Sequence, residues 1–291
     1  LQIAAVTIAI SHDPSIGLRN HDPLYRTFFN GAGAGKSNSR IQARLILGKM
    51  PDLSRLQKLF DTRESWSMYG DARGYWISFH PALHPYPFWI ARFDHQASRV
   101  IVYCGSPLLV AGGKKISLAN PICYPLDQLL LMYHLAYRDG ILLHAAGIDL
   151  AGRGLIFPGM SGAGKSTISQ LLAEAKIGNL LSDERVIVRK IDGILQIFGT
   201  PWAGTKGIVR NGSAPLAGMF FLKKGARNRL RVLTAENALE LLLPILSIPW
   251  YKHEVMARII AFAKILVARI PAYELSFKAD ASAVDFLVKN I

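Results

Sequence analysis

The residues best placed to do chemistry are Gly159-Met160-Ser161-Gly162-Ala163-Gly164-Lys165-Ser166, a complete G-x-x-x-x-G-K-[ST] phosphate-binding run. Glycine-rich backbone here curls so that N–H groups point inward at phosphate oxygens, and the start of a following helix adds positive dipole. Gly159, Ser161, Gly162, Ala163 and Gly164 are therefore read as the cradle. Lys165 is read as the cation reaching the β- and γ-phosphates, and Ser166, backed by Thr167, as the Mg²⁺ hydroxyl at the helix start.

Binding phosphate is not yet transferring it. Transfer to a hydroxyl needs carboxylates beyond the γ-phosphate, to hold the metal and take the attacking proton. Leu180-Leu181-Ser182-Asp183-Glu184 is an apolar run ending in two acids, 17 residues after Ser166. That is room for one helix and a returning strand, and open sheets place ligands at strand ends. Asp183 is read as general base and Glu184 as metal carboxylate, with Asp183 able to share the ion and the two roles exchangeable. His144, inside an apolar run beside Ala145-Ala146-Gly147, reads either as a core histidine or as a group that binds the incoming phosphate or orients the base. Residues 199–207 (GTPWAGTKG) form a glycine-punctuated loop that reads as a lid or as a surface loop, and Lys206 or Arg210 could close it on the phosphates.

Elements must deliver these groups. The pattern predicts a helix over 126–138 ended by Asp139-Gly140, strands over 141–148 and 154–157, and a helix over 166–175. It then predicts strands over 180–182, 186–190, 194–198, 217–222 and 230–233, helices over 235–243 and 253–268, a strand over 273–277 and a last helix over 281–288. Residues 1–124 are β-rich, with aromatic and β-branched runs at 41–45, 75–79, 88–93 and 100–103, and one short helix expected around 53–60. Their tryptophans and tyrosines read as core. A boundary is expected near Pro121–Pro125, giving a β-rich domain over 1–124 and a nucleotide-binding catalytic domain over 125–291.

Composition sets limits. Half of the 291 residues are apolar, enough for a sizeable core, yet no run is long enough to span a membrane. Two cysteines, Cys104 and Cys123, build neither a disulfide framework nor a four-ligand zinc site, which fits a reducing cytoplasm. Net charge is +14, split evenly: 14 basic and 7 acidic residues before position 125, 20 and 13 after it. No basic tail exists, which argues against a specific nucleic-acid partner. Between Gly193 and Ala235 there is no acid but seven Lys and Arg residues, a stretch suited to an anionic ligand or to a solvated strand pair. The chain opens on Leu1 without an initiator Met, so residues before it are expected. Asn30 to Ser37 (NGAGAGKS) imitates the phosphate loop but lacks the first glycine and a clean lead-in strand, and reads as a flexible loop.

The succession HAAGIDLAGRGLIFPGMSGAGKSTISQLL, LLSDERVIV, FGTPWAG and APLAGMFFL resembles the C-terminal domain of HPr kinase/phosphorylase and its relatives, over about residues 125–290. The resemblance implies an α/β (α+β) fold in which a PEP carboxykinase-like P-loop kinase domain, a mixed sheet flanked by helices, follows the β-rich domain. It implies ATP and Mg²⁺ as cofactors, and matches the family's histidine to His144, its loop lysine and serine to Lys165 and Ser166, and its Asp-Asp pair to Asp183 and Glu184. The family segment glutamate-isoleucine-arginine-glycine, tied to dephosphorylation, is absent: the region reads FGTPWAGTKGIVR. The GTPWAG loop resembles stand-alone HPr-kinase-like proteins, some of which phosphorylate a serine on a peptide. The acceptor implied is thus a serine-bearing peptide, small protein or metabolite, and the resemblance also implies a homo-oligomer. Two other readings stand beside this kinase: a non-catalytic nucleotide-binding regulatory module, and a PEP carboxykinase-type enzyme.

Overall fold

The structure, a computed structural model, describes residues 1–29, 39–81, 83–84, 86–110 and 116–291. The NGAGAGKS run lies outside the described residues. The fold is mixed α/β and divides into two compact units. The first takes Leu1–Gln2, Val6–Arg26 and the described residues of 37–134. The second takes Ile3–Ala5, the described residues of 27–36, and Leu135–Ile291.

The first unit is built on one twisted sheet. Val6–Ser11, Ser39–Leu47 and Arg99–Cys104 run parallel, and the sheet continues as an antiparallel meander through Trp89–Phe93, Gly74–Phe79, Trp66–Asp71 and Gln57–Asp61. Alternation decides the faces. Ile41, Ala43 and Leu45 are buried, while Arg40, Gln42 and Arg44 between them are exposed. The helix expected around 53–60 is instead a turn followed by a strand. Asp52 accepts from the Ser54 N–H, and Phe60 pairs opposite Met68 with its ring against Trp66. Cross-strand packing overrides local helix propensity there.

The helix Leu126–Ala136 contains the division between the units. Most of it belongs to the first unit because its side chains are committed there. Tyr133 packs on Tyr75 and Phe93, the His134 ring meets the Ala97 carbonyl and the Ser39 hydroxyl, and Asp127 accepts from the buried Tyr25 hydroxyl at 2.7 Å. The division between the two units therefore falls after residue 134.

The second unit carries the phosphate-loop sequence. Its elements are β1 (Gly140–Leu150), β2 (Arg153–Pro158), α1 (Lys165–Glu174), β3 (Asn179–Ser182), β4 (Arg185–Ile191), β5 (Ile194–Phe198), β6 (Ser213–Lys224), β7 (Arg229–Val232), α2 (Ala235–Leu242), α3 (His253–Arg269), β8 (Ala272–Phe277) and α4 (Ser282–Lys289). β1 and β2 form a hairpin turned by Ala151 and Gly152, both at positive φ, with the Gly152 N–H on the Asp149 carboxylate. Pairing then runs round a ring: β1 to β2, β2 to β6, β6 to β5, β5 to β4, and β4 back to β1. Ile197 fills the inside of this ring. A Cβ on Gly147 would come within 2.7 Å of it and one on Gly154 within 2.5 Å, so glycine is required at both positions. Beyond the ring, β8 joins β6 in parallel and β7 forms the edge. α1 and α4 cover this sheet over a core of Phe157, Ile168, Leu172, Phe220, Phe277 and Leu287. Among the described residues, no helix is long and apolar enough to cross a membrane.

Candidate phosphate-transfer site

The loop after β2 turns as its glycines allow. Gly162 has φ +83° and Gly164, which caps the start of α1, has φ +108°. No side chain caps α1, so its first N–H groups remain available to an anion. A Cβ on Gly164 would lie 3.0 Å from the Phe277 ring, and one on Gly159 would lie 2.7 Å from the Ala163 Cβ. The loop's backbone thus passes where side chains cannot follow. Ser161 and Gly162 are exposed, and Ala163, Ser166 and Thr167 are half-buried.

Lys165 is 6 % exposed, and its Nζ donates to the carbonyls of Gly159 and Met160 at 2.8 and 3.1 Å. Burial holds its pKa below the ordinary lysine value, against the pull of Glu184. Gly159 in turn donates its N–H to the His144 carbonyl at 3.2 Å. The loop is therefore tied directly to β1.

β1 and β4 bring the acids alongside. His144 pairs with Arg185 across these strands, and the Ala145 N–H donates to the Glu184 carbonyl at 3.1 Å. The His144 Nε2 lies 2.7 Å from the Glu184 Oε1. Burial and the Lys165 ammonium push the His144 pKa below its ordinary value, against Glu184, so the ring is neutral at pH 7. Ser182 organises the turn: its hydroxyl accepts from the N–H groups of Glu184 and Arg185.

The two carboxylates differ. Glu184 is partly open, its side chain 34 % exposed. Asp183 is 1 % exposed, and each of its oxygens accepts one backbone N–H at 2.9 Å, from Gly204 and from Lys206. Those donors lie in the 199–207 loop, which is anchored rather than free. Thr200 is buried and donates its hydroxyl to the Arg185 carbonyl, and Trp202 is buried. A Cβ on Gly204 would sit 3.1 Å from oxygens of both acids.

The structure thus gathers Gly159, Lys165, His144, Asp183 and Glu184 through successive contacts. It places Lys206 at their margin, with its Nζ on Gln170 of α1 at 2.9 Å. Arg210 is not brought there: it lines a cavity of about 310 Å³ at the other end of α1, with Lys176 and Asn179. Arg185 is a member that sequence reasoning missed. Its guanidinium donates to the Ser247 hydroxyl at 3.1 Å and helps lower the pKa values of both His144 and Lys165. The signal was present as a cation directly after the acid pair.

Among the described residues, no three His, Cys, Asp or Glu side chains gather as a metal cage. The carboxylates beside the loop that could hold a metal are those of Asp183 and Glu184. The thiols stand apart from this chemistry. Cys104 and Cys123 are free, and burial raises the pKa of each to about 12.

No family model matches the chain, and no curated protein matches it. Among solved structures, it is similar to the Hpr(Ser) kinase/phosphatase from Coxiella burnetii, with a TM-score of 0.31 and 13 % identity, over 51 % of this chain and 88 % of that one.

Proposed function

We propose that this chain is a kinase that transfers the γ-phosphoryl group of ATP, with Mg²⁺, to a hydroxyl, that of serine, on a peptide, small protein or small metabolite. One observation carries the reading: the phosphate-loop lysine, a histidine and two carboxylates form one contact chain at the start of α1. The N–H groups from Ser161 to Ser166 would hold the phosphates, and Lys165 would leave the Gly159 and Met160 carbonyls for phosphate oxygens. Ser166 and Asp183 would hold Mg²⁺, which when bound offsets charge on the β- and γ-phosphates.

The open carboxylate is the better general base, because a base must reach the hydroxyl it deprotonates. Of the two exchangeable acids, we therefore assign that role to Glu184. Its partner His144, neutral at pH 7, orients it. The acceptor O–H bond breaks with its proton passing to Glu184, the new O–P bond forms, and the γ-phosphorus–oxygen bond to ADP breaks. Asp183 holds the 199–207 loop in place and lends charge to the metal, and Lys206 closes the margin.

A regulatory module that binds nucleotide without turnover is favoured by one feature, the commitment of both Asp183 oxygens to the loop. Labelled transfer separates the two readings. Wild type, Glu184→Gln and Lys165→Met are given γ-labelled ATP, Mg²⁺ and a size-fractionated lysate of the source organism. The kinase reading expects label in a peptide, small-protein or metabolite fraction, lost in both variants while Glu184→Gln still binds ATP. ATP binding by wild type with no label in any fraction overturns it and leaves the regulatory module.

A further inference from the structure

One cavity among the described residues lies away from the phosphate loop. It is a concavity of about 900 Å³ on the outer face of the first unit's sheet, at the upper end of the range for ligand sites. Its charged rim consists of Arg40, Arg44, Arg73, Arg92, Arg99 and a single acid, Asp94.

Register explains how arginines so distant in sequence share one face. Arg44 lies opposite Ile101, Ile101 opposite Arg92, and Arg92 opposite Trp76. Two residue pairs away, on the same face, Arg99 lies opposite Gln42. The other face of the same strands is the unit's core, with Ile41, Ala43, Val100, Val102 and Phe93 buried. Trp76 and Tyr103, read from the sequence as core aromatics, stand instead on the outer face.

The arginines are unequally committed. Arg92 stacks on Trp76 at 5.1 Å and approaches Asp71 at 4.0 Å, and Arg99 lies 3.8 Å from Asp94. Arg40, Arg44 and Arg73 have no carboxylate partner among the described residues. Each is an exposed, always-charged fork whose geometry fits a planar carboxylate bidentately. Between them lies an apolar floor of Ala9 and Ile101.

We propose that this concavity binds an acidic peptide segment, its Asp and Glu carboxylates taken by Arg40, Arg44 and Arg73 over the apolar floor. Charge complementarity calls for an anion, and the aromatic groups decide its class. A single-stranded nucleic acid would need open ring faces on which to stack its bases. Trp76 has the Arg92 guanidinium over its ring and Tyr103 nearly parallel beside it, and neither aromatic ring lines the cavity. Carboxylates need only the guanidinium edges, which are free. The inference concerns binding by the first unit and stands independently of the kinase reading.

Fluorescence anisotropy on the full chain tests it, at about 0.15 M salt so that diffuse attraction is screened. The probes are a short labelled Glu/Ala peptide, a Lys/Ala peptide of equal length and labelled oligo-dT. The proposal expects the Glu/Ala peptide to bind tightest. It expects Arg40→Glu/Arg44→Glu, and separately Arg73→Glu, to weaken that binding about tenfold or more. Lys264→Glu on an exposed turn of α3, a control for bulk charge, should leave it unchanged. Oligo-dT binding as tight as the peptide and lost in the same variants would make this a nucleic-acid face and overturn the proposal. Equal weakening by Lys264→Glu, or no peptide binding at all, would overturn it too.

Discussion

The two units treat charge in opposite ways. In the second, the charged groups at the phosphate loop already have fixed partners: Lys165 on two carbonyls, Asp183 on two N–H groups, and the partly open Glu184 against His144. In the first, guanidiniums stand in the open on a sheet whose other side is core, three of them without a carboxylate partner among the described residues. Groups that must act on a bond are fixed before the substrate arrives, because fixing them afterwards would add to the barrier. Groups that only recognise can remain solvated and mobile until they bind.

The strongest way to break this contrast is Lys165→Met. Nucleotide-dependent transfer should fall about 10²–10³-fold, measured as initial rate, while binding of a Glu/Ala peptide to the first unit stays unchanged. Parallel loss of both would show that the two regions are not separable. Next is Gly164→Ala. The positive φ and the 3.0 Å approach to Phe277 predict a destabilisation of about 1–3 kcal/mol, read from denaturant unfolding, together with weakened nucleotide binding.

Tyr25→Phe probes a place where the first unit also buries a charge, at Asp127. It removes the donor to Asp127 and the acceptor of the Tyr124 N–H. The expected cost is about 1–3 kcal/mol, with the outer arginine face still binding peptide. Asp183→Asn should have a smaller, local effect. An amide offers only one oxygen to two N–H donors, so hydrogen exchange at Gly204 and Lys206 should rise about tenfold while global stability changes little.

The smallest effect is one of pH. The His144 pKa is lowered on folding, so the unfolded chain takes up its proton more readily and stability falls as pH drops through about 6.5, the unfolded value. His144→Gln should flatten that part of the stability-versus-pH curve. An unchanged slope between pH 7 and pH 5 would mean that the ring is not held neutral.

What could be read from the sequence was local. The hairpin, the phosphate loop and the helix after it follow from glycine placement and apolar period within about twenty residues, and the strands over 180–198 from alternation. The meeting of His144 with Glu184 was not readable in that way. The residues are far apart in sequence, and only the β1–β4 register joins them. The arginine face shows the same limit. Arg40-Gln42-Arg44 alternates visibly, but Arg92 and Arg99 join it through strand pairing that no local pattern encodes. The strand Gln57–Asp61 was hidden because leucine and lysine favour a helix until a neighbouring strand claims them.

The turn at Ala151 and Gly152 sets the phase of the site from a distance. A two-residue turn with both φ values positive fixes one hairpin register, and Ala145 and Pro158 form the sixth residue pair from that turn. The Gly159 N–H finds the His144 carbonyl only because that count is kept. In a strand, one step of slippage turns every side chain to the other face. An extra residue in the turn that moved β2 one step along β1, roughly 20 Å from the chemistry at strand spacing, would carry the Gly159 N–H away from the His144 carbonyl without altering any residue of the site.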